Sequence, residues 1–336
     1  MRLGDMFDDL EAQPGLPGAA GTRERLIPNG GPCDLSVGVH KPDNTRSFRV
    51  RFSPGAVRPD PELPDFKGVT VRRYSGREGS TERVTFELRL ISPVFNDVFT
   101  TLAEDFIHHL SEITDEKDAA AAFVRRLITW QRLLERHSPE GLDADEQRGV
   151  YGELWFMREH LFPPLTPLQV LQSWTGPERN AKDFQLLGCA VEVKTSTAKQ
   201  HQHLQITSEK QLDDAGLAAM FLFHLSLESA AGAGETLPEM VQQIRQRAWP
   251  DASAAQLLED KLRDAGYWDV HEHRYAAVGY VCREANLFRI QEGFPRLRER
   301  DLPSGVGDLR YSISVAECRH FPGDPEELLA LITGGV

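Results

Sequence analysis

The stretch that decides the fold reads Lys182-Asp183-Phe184-Gln185-Leu186-Leu187-Gly188-Cys189-Ala190-Val191-Glu192-Val193-Lys194-Thr195-Ser196. Two short runs with strand character flank Gly188, at the separation expected of a β-hairpin. If Gly188-Cys189 makes the turn, Asp183 lies opposite Lys194. If Leu187-Gly188 makes it, Asp183 lies opposite Glu192. In either register Asp183, Glu192 and Lys194 share one face, because strand side chains alternate with a period of two. A three-residue turn would throw Asp183 to the other face, so the chemistry requires an even loop.

That face gathers two carboxylates and one ammonium, with Phe184, Val191 and Val193 directed into a core. Crowded carboxylates raise one another's pKa unless a cation joins them. Mg²⁺ suits such a place, with Mn²⁺ as its substitute, because it takes oxygen ligands, needs few from protein and keeps several waters. Asp183 and Glu192 are the candidate ligands. Lys194 can orient or deprotonate an attacking water and offset charge on a phosphate. Phosphodiester hydrolysis needs that combination. The competing reading is a solvated strand face with an ion pair of little energetic value. Against it, Val191-Glu192-Val193-Lys194 sits between apolar strands, where charge is costly.

Working outward, a helix is expected from about Asp143 to Phe162, with Val150, Leu154, Met157 and Leu161 on its apolar stripe. After the hairpin come a strand near 202–206, a short helix opened by Ser208 and Gln211 and ending near Gly216, and an apolar strand from Met220 to Leu227. Ser229–Gly234 is small and flexible and marks a boundary. Beyond it the patterns predict helices near 237–248 and 253–265, strands near 274–282, 286–291 and 310–319, and a last helix opened by Asp324-Pro325. Upstream, Leu35, Val37 and Val39, then Phe48, Val50 and Phe52, then Val84, Phe86, Leu88 and Leu90 alternate with small or charged residues. With Val69 and Val71 they predict about four antiparallel strands. From Ser92-Pro93 the period becomes helical, with a second helix over 115–137 that buries Phe123, Leu127 and Trp130. The expected organisation is a flexible tail over 1–32, an antiparallel β region over 33–91, a helical connector over 92–142, an α/β core over 143–229 and a C-terminal α/β region over 235–336.

Composition sets limits on this reading. The chain of 336 residues has 40% apolar residues, enough for two or three cores. No apolar run reaches membrane-spanning length, and residues 1–20 lack the basic start and apolar stretch of a signal peptide. Four dispersed cysteines without a CxxC pair suit a reduced, cytoplasmic protein. The net charge of −13 argues against a nucleic-acid partner, but it averages over a local pattern. Residues 41–90 carry 11 Lys+Arg against 7 Asp+Glu, and residues 101–150 carry 6 against 11. Scattered solvated charges explain both blocks equally well.

Asp183 followed by Glu192-Val193-Lys194 resembles the D…ExK element of the PD-(D/E)XK nuclease superfamily, which includes restriction endonucleases and Holliday-junction resolvases. More narrowly, Tyr151-Gly152-Glu153-Leu154, Trp174-Thr175-Gly176-Pro177, Asp183-Phe184, Glu192-Val193-Lys194-Thr195, Gln211-Leu212 and Phe294-Pro295-Arg296 resemble an uncharacterised family of PD-(D/E)XK proteins encoded in bacterial restriction and phage-defence clusters, over most of the chain from about residue 90. Lys182 stands where the motif's name expects Pro. The resemblance implies an α/β fold with a restriction-endonuclease-like core of helix, hairpin and strands, helix and strand. It also implies a Mg²⁺-dependent DNA endonuclease of a restriction or defence system. Glu153, on the preceding helix, matches an acidic residue that members often carry there. DNA is the implied partner, and a homodimer or further defence subunits would supply two centres for double-strand cleavage. The alternative is an inactive nuclease-like scaffold or DNA-sensing subunit.

Other candidates have plainer explanations beside them. Gln205, after the hairpin, could touch the phosphate, or be a surface glutamine. Arg296 and Arg298 could contact phosphates, or belong to a charged edge strand. His201 with His203, and His271 with His273, could share a metal but lack a third ligand and read as surface residues. Trp174 reads as core rather than as a base-stacking platform.

Overall fold

The computed structural model describes residues 3–14, 21–58, 63–64, 68–78, 81–136, 141–178 and 180–334. They fall into two compact units, Met1–Gly141 and Leu142–Val336.

The first unit contains α1 (Leu3–Ala12), β1 (Gly21–Ile27), β2 (Asp34–Lys41), β3 (Thr45–Phe52), β4 (Val69–Glu78), β5 (Thr81–Leu90), α2 (Asn96–Ser111) and α3 (Glu116–Arg136). Its strands form one antiparallel sheet in the order β1-β2-β3-β5-β4. The period-two apolar residues bury on one face, where Phe48 stacks on Phe106, and Phe52 and Phe86 meet Phe123. Two elements lie in the segment expected to be a tail. Helix α1 buries Leu3, Met6, Phe7 and Leu10, the i, i+3, i+4, i+7 pattern of one helix face, hidden among Gly and Pro. Strand β1, Gly-Thr-Arg-Glu-Arg-Leu-Ile, is a polar edge strand with no apolar alternation to announce it. The basic block is partly neutralised on the sheet's other face. Arg49 bridges Glu24 and Glu87, and Arg51 also pairs with Glu24. Hydrogen bonding from His40, opposed by burial and aided by Arg49, carries the Glu87 carboxyl down to about 2.

The second unit contains α4 (Ala144–Phe156), which runs on through a wider turn at Met157–Leu161, α5 (Pro167–Ser173), β6 (Phe184–Leu186), β7 (Cys189–Ser196), β8 (His203–Ile206), β9 (Ala219–Ala231), β10 (Glu235–Thr236), α6 (Leu237–Ala248), α7 (Ala252–Asp264), α8 (Glu272–Tyr275), β11 (Val278–Arg289), β12 (Tyr311–Ser314), α9 (Val315–Cys318) and α10 (Pro325–Thr333). A five-stranded mixed sheet runs β10-β11-β9-β7-β6, with β7 and β9 parallel and the other pairs antiparallel. Val191, Val193, Phe221, Phe223 and Leu225 pack on one face with α4, α6 and α7. Met220, Leu222, Phe288 and Ile290 pack on the other with the β8–β12 pair and α9. This is an α/β nuclease-like fold.

Several local expectations change, among them the strand foreseen at 310–319, which is the short strand β12 followed directly by helix α9. The helix foreseen at 208–216 is a series of turns. Gln211 accepts from the Thr207 backbone N–H rather than capping a helix, and Asp213, Asp214 and a left-handed Gly216 follow it. The strands foreseen at 274–282 and 286–291 are one strand, β11, with a bulge between Cys282 and Glu284. His271 is buried, with its ring edge-on to Tyr275, whereas His201, His203 and His273 are exposed.

Candidate active site

The hairpin closes through Leu187-Gly188. Phe184 pairs with Val191 and Leu186 with Cys189, and Gly188 sits at φ 72°, the left-handed turn conformation that suits glycine. The loop is therefore even, and the register continues to set Asp183 opposite Glu192. Strand β6 begins only at Phe184 because Asp183, just before it, caps the ladder with its side chain: the Val193 N–H donates to Asp183 Oδ2 at 2.7 Å. The Asp183 carbonyl accepts from the N–H groups of Thr175 and Gly176, at 2.8 and 3.0 Å.

Glu153 arrives from α4. An Asp143–Glu146 capping box starts that helix, with Asp143 accepting from the N–H groups of Asp145 and Glu146 at 2.8 and 2.9 Å. The next residues approach β7 at a glycine: a Cβ on Gly152 would meet Thr195 Cγ2 at 2.5 Å. That close approach brings Glu153 to the acids. The Trp174 indole N–H donates to Glu153 Oε2 at 2.6 Å. Gly176 completes the wall, since a Cβ there would lie 2.9 Å from Glu153 Oε2 and 3.1 Å from Asp183 Oδ1.

Glu192 is 1% exposed, and the Lys194 ammonium lies 2.7 Å from its Oε1. Among the described residues neither Glu192 oxygen receives a well-aligned hydrogen bond, so the Lys194 contact is chiefly Coulombic. Burial, then repulsion from Asp183, lifts the Glu192 carboxyl to about 8. Burial and Asp183 push Glu153 well above the ordinary carboxylate value. Burial raises Asp183 against the pull of Lys194 and the Val193 N–H. For Lys194 burial acts downward, yet Glu192 and Asp183 carry it above 10.5, so it stays an ammonium. A second cation, Lys182, occupies the position where the motif has Pro. Its ammonium donates to the Lys210 carbonyl, and its field falls on Glu192.

Burial raises all three carboxyls, repulsion from Asp183 adds to it at Glu153 and Glu192, and Glu192 has both oxygens poorly satisfied, so a divalent cation would relieve the cluster. Among the described residues no three His, Cys, Asp or Glu side chains form a ready-made cage. Asp183 and Glu192 would thus leave most positions on the ion to water, which suits Mg²⁺ better than zinc.

The other candidates are placed elsewhere. Gln205 faces solvent on β8, opposite Ser312. Arg296 is 4% exposed at its side chain, donates to the Leu212 carbonyl at 2.7 Å and pairs with Asp214 at 2.8 Å. Arg298 forms a two-bond pair with Asp301. Both arginines therefore fasten loops. Lys261, which sequence reading did not single out, is 3% exposed and reaches the Trp174 carbonyl from α7. A lone Lys in an amphipathic helix gives no signal of such a reach.

A hairpin presenting Asp183 opposite Glu192, with Lys194 two residues on and Glu153 on the helix behind, has the arrangement of the PD-(D/E)XK motif. A family model described as "Putative PD-(D/E)XK family member (DUF4420)" matches residues 4–316, and the chain belongs to that family. The match extends well upstream of residue 90 and takes in the N-terminal sheet. No curated protein and no solved structure matches the chain. No helix among the described residues is long and apolar enough to cross a membrane.

Proposed function

We propose that the chain is a Mg²⁺-dependent DNA endonuclease of a bacterial restriction or phage-defence system, working in the cytoplasm. The observation that carries this reading is the even Leu187-Gly188 turn, which sets Asp183 against Glu192 with the Lys194 ammonium 2.7 Å away. Membership of the PD-(D/E)XK family supports the reaction class.

Asp183 and Glu192 would hold the cation, which supplies Lewis-acid polarisation of the phosphodiester and a more acidic water. The chain's own groups do the rest. Lys194, kept protonated by Glu192 and Asp183, offers positive charge to a phosphoryl oxygen as it gains charge in the transition state. That state favours charge stabilisation and water orientation over base catalysis by the lysine. Glu153, with one oxygen tied to Trp174, faces the same acids and would give up its proton more readily once a cation neutralises the site. Residues 143–229 would carry the chemistry, with the regions before and after it positioning a duplex. A homodimer would bring two centres to the two strands.

The test is cleavage of methylated and unmethylated plasmid with Mg²⁺, Mn²⁺ or Ca²⁺, comparing wild type with Lys194→Ala. Mg²⁺ and Mn²⁺ should support cutting. Ca²⁺ should bind without supporting it, because it accepts looser coordination and polarises water less. The variant should lose rate by far more than it loses DNA affinity. Retained cleavage by the variant would defeat the role given to Lys194. A wild type that binds cation yet cuts nothing would leave an inactive scaffold.

A further inference from the structure

Trp174 is fully buried in the core of the second unit. A buried indole N–H needs an acceptor, and main-chain carbonyls are the common supply. Here the acceptor is the Glu153 carboxylate, at 2.6 Å. The ring fills its site in the core, so the N–H direction is fixed and the bond takes away the freedom of the glutamate's end group. The Trp174 main chain is fixed as well. Residue 174 bridges Phe184 in antiparallel fashion, and its carbonyl receives the ammonium of Lys261, which also pairs with Glu178 at 2.8 Å. The next two residues, Thr175 and Gly176, donate their N–H groups to the Asp183 carbonyl. One three-residue segment therefore holds two acids, Asp183 through the main chain and Glu153 through the indole. Gly176 supplies the bare backbone against which their oxygens lie.

We propose that Trp174 is a positioning residue whose indole N–H fixes Glu153 beside the Asp183–Glu192 pair, with Lys261 holding the tryptophan main chain in place. This rests on the cation-site reading above. Glu153 is then set to order the water around an ion at Asp183 and Glu192 rather than to join a cage. A buried lysine and a buried tryptophan are an unusual amount of structure to spend on one half-buried glutamate that serves only the fold. Carboxylates and donors behind a metal site typically change affinity by roughly 10- to 100-fold when removed.

The test reads Mn²⁺ affinity by calorimetry and thermal stability, without any nucleic acid. Trp174→Phe keeps an aromatic ring and deletes the donor. Incorporation of 3-benzothienylalanine at position 174 keeps the bicyclic shape and deletes only the N–H, which guards against a folding defect in the phenylalanine variant. Both should weaken Mn²⁺ binding by roughly tenfold or more, with melting close to wild type. In a Glu153→Gln background the same changes should have no further effect. Wild-type affinity in the benzothienyl protein would overturn the proposal. So would losses from positions 153 and 174 that simply add. Asp183→Asn/Glu192→Gln is the control. Unchanged Mn²⁺ binding there would remove the cation site itself and the proposal with it, whereas abolished binding there with a silent position 174 refutes the positioning role alone.

Discussion

Replacing Glu192 by Gln tests the electrostatics of the site without any substrate. Gln is close in shape to a protonated glutamic acid, and crowding and burial hold Glu192 protonated up to about 8 instead of the ordinary 4.5. In chelator-treated wild type, the unfolded chain releases this proton near 4.5 while the folded chain keeps it. The folded state therefore binds more protons between those values, and stability falls as pH rises through that window. Moving a carboxyl from 4.5 to about 8, at about 1.4 kcal/mol per pH unit, gives a ceiling of roughly 5 kcal/mol. Asp183 and Glu153 compete in the same cluster, so part of that total belongs to the group rather than to one residue. Glu192→Gln has no proton to lose in either state. Its stability should match wild type near pH 4.5, exceed it increasingly above, and reach a constant margin above about pH 8. Added Mn²⁺ should stabilise wild type at high pH and leave the variant nearly unmoved, because binding to the folded state alone raises apparent stability. Denaturant titrations at several pH values supply both measurements. A variant less stable than wild type at pH 8.5, or a difference independent of pH, would show that Glu192 sits there as a satisfied ion-pair partner of Lys194.

Two other substitutions probe the frame of the site. Gly152→Ala should cost about 1–3 kcal/mol of overpacking against Thr195 and displace Glu153. Adding Thr195→Ser removes the methyl that a Cβ would strike at 2.5 Å, so chemical denaturation should show partial recovery in the double variant. Arg296→Ala should destabilise the protein by about 1–3 kcal/mol, the scale of lost hydrogen bonds to a charged group, because its side chain is 4% exposed and fastens the partly exposed Asp214 and the Leu212 carbonyl. Arg298→Ala, at an exposed pair, should leave melting almost unchanged. Loss of DNA affinity without loss of stability in Arg296→Ala would restore Arg296 as a phosphate contact.

The geometry of the candidate site was legible because its signals are local. Asp183, Glu192 and Lys194 lie within twelve residues, and strand periodicity alone puts them on one face once the turn is even. What sequence left open was which even turn, and Gly188 at φ 72° decides for Leu187-Gly188. Less legible were contacts between residues far apart in the chain. The reach of Lys261 to the Trp174 carbonyl spans 87 positions and leaves no periodic trace. The Ser208/Gln211 spacing reads as a capping box, but Gln211 closes a turn on Thr207, since the same side chain can serve either structure. Helix α1 was hidden for another reason: its apolar stripe lies within a Gly- and Pro-rich composition that suggests a tail.

The turns at 207–218 bear on how much chain the centre needs. Parallel strands require a crossover of a dozen or more residues, usually a helix that covers one face. Here β7 connects to β9 through β8 and turns, so Met220 and Leu222 receive no crossover helix. Their cover comes from the C-terminal region: Phe288 and Ile290 from β11 and the residues just after it, Ile313 from β12, and Val315 and Cys318 from α9. Strand β8 itself is paired by β12, with Leu204 opposite Ile313. A fragment of residues 143–229 would keep Asp183, Glu192, Lys194 and Glu153 but lose β11, β12, α6 and α7 together. At about 1.5–3 kcal/mol for each large apolar side chain re-exposed, those losses exceed the whole stability of an ordinary domain, about 5–15 kcal/mol. The fragment should show no cooperative melting, whereas residues 142–336 should unfold in one transition. A cooperatively folded 143–229 fragment would mean that β8 and the turns cover β9 unaided. Otherwise Asp183 and Glu192 stand in one short stretch, while the cover of the adjoining strand β9 is supplied by a segment about a hundred residues further along.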